Sequence, residues 1–264
     1  MMKNTKDPSP RRHDPRTQSA GDYSYRKALE TFFADSPGSY TERLESFSKF
    51  VPRQDLARFL ARYEIFRQVL PIQGSIVECG VQFGGGLMTF ANLSAILEPY
   101  NFQRRVIGFD SFSGFPAIAS QDKKGLKQRR SLHMKKGGFA APRAYEELLK
   151  AIELFDKNRF LNHFPKVDVV KGDFLKTGKK YLKDHPHLVV SCLYLDFDIY
   201  KPTKHAVDLF FNRIPKGGVI AFDELNDESF PGETTAVLEG LRLSKLRVRR
   251  FPFEPRISYA VIGE

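Results

Sequence analysis

The spacing of apolar positions changes several times along this chain. Residues 53–70 (RQDLARFLARYEIFRQVL) place Leu56, Phe59, Leu60, Tyr63, Phe66, Val69 and Leu70 at helical spacing, on one apolar face. Residues 75–79 (SIVEC) are instead a short continuous apolar run between Gly74 and Gly80. From there the two patterns alternate. Strands are predicted over 75–79, 105–109, 167–170, 188–195 and 219–222, and helices over 87–97, 143–155, 174–183, 202–213 and 231–243. Two further strands, 246–251 and 257–262, flank a Pro-containing link. Strands alternating with helices imply an α/β fold: a mostly parallel, seven-stranded sheet with helices on both faces. Strands that are apolar throughout agree with burial on both sides. The last two read as an antiparallel hairpin at one edge. Upstream, 23–50 is irregularly helical and aromatic (Tyr23, Tyr25, Phe32, Phe33, Tyr40), so 23–70 reads as an N-terminal helical cap. Residues 1–22 are polar and read as a disordered basic tail. One domain is expected over 23–264.

Charge changes this picture less than it first suggests. The 264 residues carry 42 Lys+Arg against 31 Asp+Glu, a net charge of +11. That total invites a nucleic-acid reading. Residues 1–30 are net +3, 121–150 net +6 and 240–256 net +5, so the rest of the chain is slightly acidic at −3. The basicity is local. No apolar run approaches the ~18 residues of a membrane span, and the N-terminal segment lacks the apolar core of a secretory signal. Two cysteines, Cys79 and Cys192, cannot form a disulfide framework and read as small core residues. A cytoplasmic location is expected.

In a sheet of this kind ligands bind at the carboxyl ends of the strands. Acids stand at nearly all of those ends: Glu78, Asp110, Asp196 and Asp198, Asp223 and Glu224, with Asp173 after the strand at 167–170. Their mutual repulsion is costly unless cations or ligand hydroxyls compensate. The first loop, VECGVQFGGG, gives Glu-x-Gly-x-x-x-Gly between a strand and a helix. This breaks the Gly-x-Gly-x-x-Gly dinucleotide fingerprint and disfavours a nicotinamide-dependent oxidoreductase. An acid before the first glycine fits a ligand with an ammonium group, and Asp110 can accept from a ribose diol. Together they describe S-adenosylmethionine.

VECGVQFGGG, GFDSFSGFP, KGDF, LYLDFDIYKPTKHAV and GGVIAFDE, in this order, resemble the macrocin O-methyltransferase (TylF-type) family across about residues 53–240. The family often has Asp-Gly-Asp-Leu-Tyr where this chain has Asp196–Tyr200 (DFDIY), and Asp-Asp-Tyr where it has Asp223-Glu224-Leu225. The resemblance implies a Rossmann-like class I methyltransferase domain that methylates sugar hydroxyls with S-adenosylmethionine and, in many members, a divalent metal. ELNDESFPGET (224–234) resembles a branch acting on nucleotide-linked deoxyhexoses. By the resemblance, Glu78, Gly80 and Gly84 hold the methionine end of the cofactor, Asp110 and Ser111 lie at the ribose, and Asp173 lies near the adenine. Asp196, Asp223 and Glu224 bind the metal. An oxygen-only donor set suits Mg²⁺. Asp196 or Asp198 accepts the proton, and a non-ligating acid is the better base.

Plainer readings stand beside these. Asp198 can be a helix cap near Thr203, and Glu224 a surface acid. The basic stretch over 121–142, in the long connection after the second strand, reads either as a solvated loop or as a lid for an anionic substrate. A nucleic-acid methyltransferase using the basic segments is the alternative function, although no Asn/Asp-Pro-Pro-Tyr/Phe motif is present. The expected partner is a small anionic sugar, with no membrane and no nucleic acid. A homo-oligomer, most simply a dimer, is expected.

Overall fold

A computed structural model describes residues 19–123 and 133–264. Its sheet contains β1 (Ser75–Cys79), β2 (Val106–Asp110), β3 (Val167–Lys171), β4 (Val190–Leu195), β5 (Val219–Phe222), β6 (Arg249–Arg250) and β7 (Ser258–Val261). The spatial order is β3-β2-β1-β4-β5-β7-β6. The first five strands are parallel, and β7 runs antiparallel to both β5 and β6. This is the expected α/β sheet with an antiparallel C-terminal edge. One strand is much shorter than expected. Leu246 and Val248 turn back onto Leu243 and Leu246 through backbone hydrogen bonds, which leaves only Arg249 and Arg250 to pair.

The helices are α1 (Ala20–Asp35), α2 (Tyr40–Glu45), α3 (Arg53–Val69), α4 (Gly85–Leu97), α5 (Ala144–Lys157), α6 (Phe174–Asp184), α7 (Tyr200–Phe210) and α8 (Pro231–Gly240). Strand side chains alternate between two faces, so there are two cores. Ile76, Val106, Cys192, Tyr194, Val219 and Ala221 pack under α3, α4 and α5. Val77, Ile107, Phe109, Leu193, Leu195, Ile220 and Phe222 pack under α6, α7 and α8. Cys79 and Cys192 are free and buried. Among the described residues no helix is long and apolar enough to cross a membrane.

Two differences from the sequence pattern concern the N-terminal segment. Residues 20–22, expected in the tail, open α1. Ser19 caps that helix by accepting from Asp22 N at 3.2 Å, while the Asp22 carboxylate accepts from Ser19 N at 3.0 Å. The rest of the expected tail, 1–18, lies outside the described residues. In α3 the buried face is Ala57, Ala61, Arg62, Ile65, Phe66 and Val69, whereas Phe59 and Leu60 are 40% and 49% exposed. Small alanines let α3 lie close to the sheet, and an arginine shares the inner face.

At the amino ends of the strands, buried Arg104 ties the layers together. Its guanidinium donates to Glu98 (2.8 Å), to Ser191 Oγ (2.6 Å) and to the carbonyls of Val69, Leu70, Ile72 and Gly74. Removing one partner of a buried ion pair strands the other in a dry site. Arg104→Met should therefore cost about 3–5 kcal/mol in urea unfolding. A loss below about 1 kcal/mol, the range of an exposed ion pair, would contradict this role.

Candidate active site

Glu78, near the end of β1, is buried. Its Oε1 lies 3.5 Å from Arg62 Nη2, and its Oε2 has no partner. A side-chain carbon at Gly86 would come within 2.0 Å of Glu78 Oε1, so only glycine lets α4 start this close. That helix begins without a side-chain cap, leaving its first N–H groups for another acceptor. An unpartnered carboxylate oxygen beside an uncapped helix start fits the ammonium and carboxylate of an amino acid. The methionine end of S-adenosylmethionine carries that pair.

The acids of β4 and β5 converge beside it. Asp196, Asp198 and Glu224 each place a carboxylate oxygen within 4.8 Å of the others. Asp223 Oδ1 accepts from Arg58 Nη2 at 2.5 Å and from Tyr194 Oη at 2.6 Å. Arg58 and Arg62 both approach Asp196, at 3.8 and 3.6 Å, and Arg62 lies over the Tyr194 ring at 4.6 Å. Glu233 of α8 is fully buried. Its Oε1 accepts from Glu224 N at 2.9 Å, and its Oε2 is unpartnered.

Burial dominates the electrostatics. It pushes Asp198 up to about 8, reinforced by the charge of Asp223. The same two causes raise Asp196, Glu224 and Glu233 well above the carboxylate range. Asp223 goes the other way: burial opposes its charge, but Arg58 and Arg62 outweigh burial and hold its carboxyl low. Among the described residues, six carboxyl groups, those of Glu78, Asp196, Asp198, Asp223, Glu224 and Glu233, thus gather around the guanidinium groups of Arg58 and Arg62. A hard divalent cation fits this excess, and the unpartnered Oε2 of buried Glu224 is a free donor for it.

Other expected residues have defined places. A side-chain carbon at Gly80 (φ +103°) would sit 1.9 Å from the Asp196 carbonyl oxygen, so this glycine lets the ends of β1 and β4 touch. Gly84 caps α4 beneath Leu148. The Asp110 carboxylate accepts from Val81 N and Gln82 N, both at 2.8 Å, and from Phe112 N at 2.6 Å, which pins the glycine loop. Ser111 Oγ donates to the Gly114 carbonyl within its own turn, and Asp173 caps α6. Two plainer readings fail. Asp198 has φ +60° and does not cap α7, whose cap residue is Ile199. Glu224 is buried, not a surface acid. The geometry also differs from the expected metal set in one member. It groups Asp198 with Asp196 and Glu224, while Asp223 Oδ1 accepts from Arg58 and Tyr194.

Sequence reasoning missed Arg58, Arg62, Tyr194, Glu233 and Asp122. Arg58 and Arg62 are four apart on α3, next to Ala57 and Ala61. That pairing of small residues with cations was the available signal. Asp122, inside the basic stretch, is buried and caps α7 by accepting from Tyr200 N at 2.7 Å. The part of that stretch over 124–132 lies outside the described residues.

The model of the macrocin O-methyltransferase (TylF) family matches residues 61–233, spanning the glycine loop, both acid pairs and Glu233. The chain belongs to this family. It is an S-adenosylmethionine-dependent O-methyltransferase. Among solved structures it is similar to CalS11, a calicheamicin methyltransferase, at 32% identity over 94% of this chain and 95% of that one, with a TM-score of 0.87. A second CalS11 structure, described as an apo TDP-rhamnose 3'-O-methyltransferase, aligns at 31% identity over 94% and 97%, with a TM-score of 0.78. The O-methyltransferase NovP shares the fold at 20% identity over 78% and 79%, with a TM-score of 0.54. No curated protein matched the chain in a sequence search.

In this methyltransferase, burial pushes Glu78 up to about 7 against an ordinary 4.5, with Arg62 opposing. The folded protein keeps a proton that the unfolded chain releases across that interval. Stability therefore falls as pH rises from the ordinary value to about 7, then levels off. Without cofactor, wild type should lose up to about 3 kcal/mol relative to Glu78→Gln between pH 5 and 8 in urea unfolding. Parallel curves for the two proteins would show that Glu78 is ionised throughout.

Proposed function

We propose that this enzyme methylates a hydroxyl of a sugar, specifically a nucleotide-linked deoxyhexose, with the help of a divalent cation, Mg²⁺ in the first instance. The observation that carries the reading is the convergence of Asp196, Asp198 and Glu224 within 4.8 Å, beside the unpartnered Oε2 of Glu78. Likeness to CalS11 along 94% of the chain supports the choice of acceptor class.

The roles follow from chemistry and position. Glu78 and the start of α4 hold the methionine end of the cofactor. Asp110, at the end of β2, receives the ribose, with Ser111 beside it and Asp173 nearer the adenine. Asp196 and Glu224 hold the cation, since Mg²⁺ needs only one or two carboxylates besides water and substrate. Asp198 takes the proton of the acceptor hydroxyl, because a base should titrate near the working pH. Arg58 keeps Asp223 ionised and in place, and the buried Tyr194 hydroxyl donates to the same oxygen. When bound, S-adenosylmethionine supplies the electrophilic methyl group and the cation favours the ionised acceptor. The chain's own contribution is alignment and exclusion of water, where positioning can supply on the order of 7–11 kcal/mol.

Incubation with S-adenosylmethionine, Mg²⁺ and TDP-rhamnose should give a product heavier by one methylene in mass spectrometry. Asp198→Asn should lower kcat by about 10²–10⁴-fold, the range for a general base, while calorimetry finds cofactor affinity unchanged. Full turnover by the variant would remove Asp198 as the base. Turnover that persists in excess chelator would remove the cation.

A further inference from the structure

The hairpin at the sheet edge brings a cation to this rim. Ser258 of β7 pairs with Phe222 of β5, so the β6–β7 loop lies beside Asp223 and Glu224 at the carboxyl end of the sheet. Arg256 stands on that loop with an exposed side chain. Among the described residues its guanidinium has no ion pair and no side-chain hydrogen bond. Arg58 and Arg62, by contrast, are held by Asp223, Asp196 and Glu78.

The loop that carries Arg256 is fixed. Phe251 and Ile257 are buried at its ends, and Pro252 and Pro255 stiffen it. The buried Glu254 carboxylate accepts from Arg256 N at 3.1 Å. The backbone is thus set before any ligand arrives, while the side chain stays in water. A pre-set donor loses less freedom on binding than a mobile one.

This placement answers a problem that the site creates. A rim rich in carboxylates repels an anionic acceptor, yet a nucleotide-linked sugar carries two phosphates one ring away from its hydroxyls. Guanidinium presents a planar fork that matches phosphate oxygens. We propose that Arg256 grips a phosphate of the acceptor and so selects nucleotide-linked over free sugars. The proposal rests on the acceptor class given above. It assigns Arg256 to binding, not to the transfer step.

Thymidine diphosphate and thymidine are the probes, titrated calorimetrically onto full-length wild type, Arg256→Gln and Arg256→Lys with S-adenosylhomocysteine present. Arg256→Gln should weaken thymidine diphosphate binding by about tenfold or more, on the scale of one charge-assisted contact. Arg256→Lys should lose less, because it keeps the charge without the fork. Thymidine should bind all three alike, and their thermal melts should coincide. With TDP-rhamnose, KM should rise for Arg256→Gln by a similar factor while kcat stays within about twofold, as for loss of uniform binding. If wild type methylates TDP-rhamnose and Arg256→Gln matches it in KM and in diphosphate binding, the role of Arg256 is wrong and the acceptor class stands. If wild type neither binds the diphosphate nor methylates TDP-rhamnose, the acceptor class falls and the proposal with it.

Discussion

Two guanidinium groups entering from outside the parallel sheet make the rest of this rim possible. Parallel strands that end in acids would repel one another in a dry crevice. Arg58 and Arg62, one turn apart on α3, reach Asp223, Asp196 and Glu78 and hold that repulsion in check. Their reach explains the build of α3. Its inner face carries alanine at 57 and 61, so the helix axis lies close enough for both arginines to span the gap. It also explains why Asp223 alone among these acids is held below its ordinary range. Arg58 and Arg62 alone do not balance the six carboxyl groups gathered at this rim among the described residues.

The sheet supplies rigidity to match. The chain runs from β1 outward to β3, then returns to the other side of β1 for β4 and β5, and ligands bind where the order reverses. Glu78 and Asp196 flank that crevice. The ladder continues past each strand: Gly80 N donates to the Phe109 carbonyl, Asp196 N to that of Cys79 and Asp223 N to that of Leu195. Asp196 and Asp223 are therefore mounted on the sheet and not on free loops. A site on rigid elements holds its geometry better than one on loops. Gly80 completes the arrangement by letting the Asp196 carbonyl lie where any side chain would stand.

Much of this was legible in the sequence. The apolar runs gave the five parallel strands nearly to the residue, because strands buried on both faces have little else to be. The acids at their ends pointed to one rim because parallel strands share a direction. What stayed hidden needed the third dimension. The apolar face of α3 was misplaced because Phe59 and Leu60 look like core yet face solvent, while the inward Arg62 looks like surface. Tyr194 read as one more apolar strand residue until its hydroxyl met Asp223. Glu233 lies on a helix nine residues after Glu224, and nothing along the chain says that its carboxylate accepts from the Glu224 backbone. Pairing between distant residues leaves no trace in periodicity.

Asp122 shows how such pairing serves chemistry. Asp196 to Tyr200 leaves the sheet through a left-handed residue, Asp198, and enters α7 with no side chain of its own to cap it. A helix start without a cap frays, and fraying here would move Asp198. The missing acceptor comes from the β2–α5 connection, where Asp122 bonds both Tyr200 N and Ala119 N, at 2.7 Å each. Gly232 of α8 leaves room for it, since a side-chain carbon there would meet Asp122 Oδ1 at 1.9 Å. One buried carboxylate thus ties the connection to the turn that carries Asp198, with α8 packed against it. Asp122 stands at the start of the basic stretch, so the β2–α5 connection and the acidic rim share one anchor.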